Sequence, residues 1–271
     1  MNNLRKIGLS ALAGSLATFS VNAADVSVSG GASITFDDSN RGKGDRGNGF
    51  YMGDSLKFNM SGETDGGIGI AVYYEIDGGA LDDYNLKMSG DWGSLVFDGH
   101  GGSSAFGAMD DKTPNAYEEA WAVIDTDGTS ATGSATVING SGGNNMFIYT
   151  SPSMGGAVLQ AAYQNHNAAA TESYTDYSIT ISPEAVDGLT IGAAMADHTV
   201  AAASSTDLEE NTMYVTYAIG SMTIGGQVSD YDHDTANSDA ESTAIGISYA
   251  VNDDISISYN THEVEFESGA S

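Results

Sequence analysis

Residues able to do chemistry gather in one stretch of this 271-residue chain. Between positions 100 and 143 stand Asp110, Asp111, Lys112, Glu118, Glu119, Asp125 and Asp127. Asp125-Thr126-Asp127-Gly128-Thr129 has the opening spacing of a calcium loop, whose carboxylate oxygens suit a hard cation. The bidentate Glu due at its twelfth position is absent, and Thr136 stands there. Asp125 and Asp127 are thus a partial metal site; Ca²⁺ is the cofactor these residues suggest, and no other is implied. Asp230, Asp232, His233 and Asp234 form a second acidic cluster. His100, His166, His198 and His262 lie apart, mostly near the ends of predicted strands. No Ser-His-Asp or paired-carboxylate arrangement emerges. The chain has no Cys, which removes thiolate metal sites and Cys nucleophiles. The expectation is a protein that is not an enzyme.

Charge narrows the partners further. There are 37 acidic residues against 8 basic ones, a formal net charge of −29. Such a surface repels phosphate backbones, so nucleic acid is excluded as a partner. Basic residues are scarce enough for their placement to matter. Lys57 sits between Leu56 and Phe58, and Lys87 between Leu86 and Met88. Arg41, Lys43 and Arg46 fall in a long predicted connection.

Residues 1–23 read as a secretory signal peptide. Arg5 and Lys6 give the charged start, Ile7 to Val21 the apolar run, and Val21-Asn22-Ala23 the cleavage site, with the mature chain spanning 24–271. No later run is long and apolar enough for a membrane-spanning helix. An exported chain of this kind is either soluble or a β-barrel in an outer membrane.

The elements that position these residues show period two. Ile68, Ile70, Val72, Tyr74 and Ile76 alternate with small, polar or acidic residues, Tyr73 aside. Met213, Val215, Tyr217 and Ile219 do the same, as do Ile245, Ile247, Tyr249 and Val251. Thirteen strands are predicted: 25–36, 50–60, 67–77, 83–89, 93–99, 144–151, 156–166, 174–182, 188–197, 211–219, 222–232, 241–250 and 254–266. Short turns alternate with longer connections, the longest being 100–143. That sorting is expected of an antiparallel transmembrane β-barrel, which has short turns at one rim and long loops at the other. A soluble sandwich has no reason for it. Tyr149, Tyr163, Tyr217, Tyr249 and Phe36 fall near strand ends, where interfacial aromatics belong. If the apolar face meets lipid, Lys57 and Lys87 point inward, because a Lys in hydrocarbon at mid-depth costs roughly 2–4 kcal/mol.

Asp25-Val26-Ser27-Val28-Ser29-Gly30 after the signal, the strand Gly93-Ser94-Leu95-Val96-Phe97-Asp98-Gly99, and Ser104-Ala105-Phe106-Gly107-Ala108-Met109-Asp110 in the long connection together carry a likeness. With these segments the chain resembles the general bacterial porins, in particular the alphaproteobacterial type. The resemblance implies a barrel of the 16-stranded type in a Gram-negative outer membrane, assembled as a homotrimer. It also implies that the loop after the fifth strand folds into the lumen. Thirteen strands and an end at Glu265-Phe266-Glu267-Ser268-Gly269-Ala270-Ser271 depart from that pattern. The expectation is an N-terminal fragment lacking about three strands, or a further hairpin within 118–138.

On this reading the long loop carries the pore constriction: Asp110, Asp111, Lys112, Glu118 and Glu119 face Lys57 and Lys87 across the opening. Thr113-Pro114 is a plausible helix start, with Thr as N-cap and Pro in the first turn. The expected function is passive diffusion of ions and small hydrophilic solutes, with a preference for cations set by net acidity. The competing reading is a secreted or surface-attached all-β adhesion protein with acidic, Ca²⁺-binding loops.

Overall fold

The computed structural model describes residues 22–36, 50–116, 140–165, 173–199, 208–233 and 239–266. The signal segment up to position 21, the first long connection and residues 117–139 lie outside them, as does the hairpin considered within 118–138.

Alternating sequence builds one antiparallel sheet in which each strand bonds to its chain neighbour. The first five strands are β1 (Asn22–Phe36), β2 (Phe50–Glu63), β3 (Gly69–Asp77), β4 (Ala80–Gly90) and β5 (Gly93–His100). The long connection then forms a miniature pair, β6 (Gly102–Ser103) with β7 (Gly142–Gly143). The main sheet resumes with β8 (Met146–Thr150), β9 (Ala157–Gln164), β10 (Ser173–Ile181), β11 (Leu189–Thr199) and β12 (Leu208–Ile219). It ends with β13 (Met222–His233), β14 (Ala240–Asn252) and β15 (Ile255–Phe266). The main sheet has 13 strands, as expected, with β1 and β15 as its two edges.

Register keeps like with like. Ile191 lies opposite Val215, and Met60 opposite Val72, which is opposite Leu86. One face therefore presents Val28, Leu56, Met195, Val215, Ile245 and Tyr259, all exposed. The other carries Asp176, Ser178, Thr212, Gln227, Ser229 and Ser242, all buried. This is the reverse of a water-soluble sheet, which hides its apolar face. No helix among the described residues is long and apolar enough to cross a membrane. The strands have that role, since a sheet satisfies its backbone polar groups between neighbours. Aromatic pairs mark both margins of the apolar band. Trp92 stacks on Tyr149 toward the rim that holds the Gly90–Gly93 turn (centroids 6.3 Å apart), and Tyr74 stacks on Tyr84 toward the opposite rim (5.9 Å).

Two local expectations need correction. The connection predicted over 78–82 is a two-residue turn, Gly78-Gly79, with φ of 57° and 82°. Both positions require the left-handed region, which two glycines adopt without steric cost. The helix start at Thr113-Pro114 does not form within 111–116, which is irregular. Side chains there bond to their own backbone instead: Asp110 Oδ1 accepts from Asp111 N (2.8 Å), and Asp111 Oδ1 accepts from Thr113 N (2.8 Å). Such local bonds compete with helix formation. The one helical turn described in this connection is a 3₁₀ turn at Gly107–Met109.

Candidate functional site

The long connection leaves β5 and lies against the polar face of the sheet. Its root is fixed by a buried apolar cluster in which Ala105, Phe106 and Met109 join Met146, Ala162 and Tyr174. Phe106 is fully enclosed. At that root a carboxylate serves as an anchor. Asp176 on β10 has no exposed surface. It accepts hydrogen bonds from Phe106 N (2.7 Å), Tyr174 Oη (2.8 Å) and Ala162 N (3.0 Å). The Tyr174 hydroxyl in turn lies 2.9 Å from Ser104 Oγ, which accepts from Gly107 N at 2.9 Å. Buried acceptors filled by three donors hold a segment in one place.

A second anchor stands further along. Gln227 on β13 donates through Nε2 to Met109 O (2.7 Å) and Thr212 Oγ1 (2.9 Å), and accepts through Oε1 from Lys112 N (2.8 Å). The chain then passes over β14 and reaches β15. A Cβ at Gly246 would stand 2.5 Å from Pro114 O, so only glycine admits the loop there. Ser258 Oγ donates to Asn115 Oδ1 at 2.7 Å. Residues 102–116 thus lie across the inner wall from β5 to β15 and project into the space that the polar face lines.

Asp110, Asp111 and Lys112 are half-buried on this path, beside β13. Asp111 lies close enough to His262 on β15 for their charges to interact. Lys57 is on the polar face, as its neighbours' alternation predicts. It pairs with Glu75 on β3 (3.2 Å), and its side chain remains 42% exposed. Tyr73 Oη donates to the same carboxylate. Lys87 is exposed on the polar face of β4, opposite Ala71 and Val96. Among the described residues no ion pair joins either lysine to Asp110 or Asp111. Glu118, Glu119, Asp125 and Asp127 lie outside the described residues, as do Arg41, Lys43, Arg46 and Asp234. Asp230 and Asp232 occupy the outward parity of β13, in line with Val228.

Sequence reasoning passed over Asp176 and Gln227. Their partners on the loop are 70 and 115 to 118 residues away, and no local spacing reports that. One signal was available: both stand at inward parity, and a buried acid or amide on a lumen wall needs a partner. Glu210 was also passed over, and His198 was read only as an isolated histidine; they meet at 3.0 Å on β11 and β12, with Glu210 fully buried.

The family model described as Gram-negative porin matches residues 8–271. No curated protein matches the chain in sequence. Among solved structures, an anion-selective porin from Comamonas acidovorans superposes with a TM-score of 0.60 at 16% identity, covering 90% of this chain and 80% of that one. A loop-deletion form of OmpT, an outer membrane protein of Vibrio cholerae, superposes with a TM-score of 0.58 at 12% identity, covering 90% and 82%. In vitro folded OmpT from Vibrio cholerae, in its trimer form, gives 0.54 at 11%, covering 90% and 79%.

Proposed function

This chain belongs to the Gram-negative porins, proteins of the outer membrane, and from that premise we propose that it forms a water-filled, cation-preferring channel for passive diffusion of ions and small hydrophilic solutes. The observation that carries this reading is the loop across the inner wall, pinned by Asp176 and Gln227, with Asp110 and Asp111 on it. A segment held in that way narrows a passage and sets its charge.

The inner face supports the cation preference. Asp110, Asp111, Asp98, Glu75 and Glu210 stand there against Lys57, Lys87 and Lys112, and Lys57 is already paired with Glu75. Lys87 and Lys57 belong to the β2–β4 part of the wall, while the loop acids lie beside β13. A field directed from one to the other orients polar solutes as they pass. Acidic walls concentrate cations and deplete anions. The Comamonas acidovorans neighbour is anion-selective, so the fold itself does not set the sign. Glu118, Glu119, Asp125 and Asp127 add negative charge to the same loop. A homotrimer accords with the trimer form of OmpT, and lipid-facing apolar strands accord with a membrane-embedded rim.

The test is the reversal potential of the purified chain in a planar bilayer under a KCl gradient. The expected sign is that of a cation-preferring pore. An anion-preferring potential would assign selectivity to the lysines, and the absence of conductance from correctly folded protein would overturn the channel itself.

A further inference from the structure

We infer that the root of the long loop holds a divalent transition cation, of the Zn²⁺ class, on His100, Asp82 and Asp83. One ligand atom from each of these side chains lies within 4.8 Å of the others. Ligands around a tetrahedral Zn²⁺ stand about 3.4 Å apart, so small rotamer changes close the set.

Chemistry and surroundings both favour a cation over a chance meeting of acids. Imidazole beside carboxylates suits Zn²⁺ and its neighbours, whereas Ca²⁺ prefers oxygen alone. Among the described residues no Lys or Arg forms an ion pair with Asp82, Asp83 or Asp98. The backbone has been kept clear for these groups. A Cβ at Gly101 would sit 1.5 Å from Asp83 Oδ1, and one at Gly102 would sit 1.7 Å from Asp98 Oδ2.

Asp98 is the independent sign of a ligand. It is 5% exposed and reaches the same turn from β5, where the backbone N–H groups of His100 and Gly102 bond to its carboxylate. Its charge also acts on His100 and Asp83. Yet its Oδ1 is buried without any hydrogen-bond partner. A buried carboxylate oxygen needs a donor or a cation. A cation on the His100 set, with water bound to it, supplies both. Bound there, it would tie β4 to the root of the loop at the mouth of the channel.

The test is calorimetric titration of ZnCl₂ into the full chain, purified without a polyhistidine tag, with CaCl₂ as comparison. The expected result is one saturable Zn²⁺ per chain, with Ca²⁺ binding at least tenfold weaker. His100→Gln and Asp82→Asn change partly exposed side chains, and each should weaken Zn²⁺ at least tenfold while leaving the heat-shifted gel mobility unchanged. Asp98→Asn should weaken it as well. Zn²⁺ affinity unchanged in His100→Gln, equal binding of Ca²⁺, or no saturable binding would each overturn the site. Conductance enters none of these readouts, so they stand apart from the channel reading.

Discussion

Asp176 is the residue on which the position of the loop depends most. It is fully buried and fills its two oxygens with three donors. Asp176→Asn keeps the shape but turns one acceptor into a donor aimed at other donors. Hydrogen bonds to charged groups are worth about 1.5–3 kcal/mol, and the substitution should cost about that much stability. The local effect exceeds the global one, because Phe106 N is the bond that crosses from wall to loop. Single-channel recordings of Asp176→Asn should show larger conductance and frequent brief closures, and urea unfolding an earlier midpoint. Wild-type conductance with a wild-type midpoint would mean the apolar cluster around Phe106 holds the loop unaided. Gln227→Ala tests the second anchor. It removes contacts to Met109 and Lys112 while leaving Asp176 in place, so conductance should rise with a smaller loss of stability. These anchors were the least legible part of the site. Asp176 shows inward parity in the sequence, but what it grips lies 70 residues earlier in a stretch without periodicity.

At the scale of the strand, face assignment is the central physical claim. Val215 and Thr216 are neighbours on β12 with opposite surroundings, Val215 opposite Ile191 and exposed on the apolar side, Thr216 opposite Thr190 and Gly225 on the polar side. Val215→Lys should cost roughly 2–4 kcal/mol of stability in a bilayer, while Thr216→Lys should be nearly neutral. Folding titrations into vesicles read the difference, and equal costs would sink the assignment. This level of structure was legible because a sheet with lipid on one side and water on the other imposes period two on every strand. The register Ile191–Val215 and Met60–Val72–Leu86 follows directly from keeping apolar residues on one face. Strand ends were less legible. At Gly78-Gly79 the two glycines close a tight turn where five residues of connection were expected, because turn geometry depends on φ and not on hydropathy. At 110–115 a sequence with good capping residues stays irregular, since Asp110, Asp111 and Asn115 bond to their own backbone and Gln227 takes Lys112 N.

For the whole molecule, selectivity is a sum over charges separated by water, so it answers to salt and to single substitutions in a calculable way. Two unit charges 8 Å apart in water interact by about 0.5 kcal/mol, roughly a twofold change in local ion concentration. Asp110→Asn or Asp111→Asn should therefore lower the cation-to-anion permeability ratio by roughly that factor for each ion sign. Lys87→Gln should raise it, since Lys87 is exposed on the inner face and, among the described residues, no ion pair balances it. Lys57→Gln should raise it too, because the same unit of positive charge is removed and Glu75, left without its partner, attracts cations of its own. Screening adds a check independent of mutation. The Debye length falls from about 10 Å at 0.1 M salt to about 3 Å at 1 M, so the wild-type ratio should fall toward that of the free ions as salt rises. A ratio constant across that range would assign selectivity to direct coordination at a narrow point, and the signs of the four lysine and aspartate effects would then have no electrostatic basis.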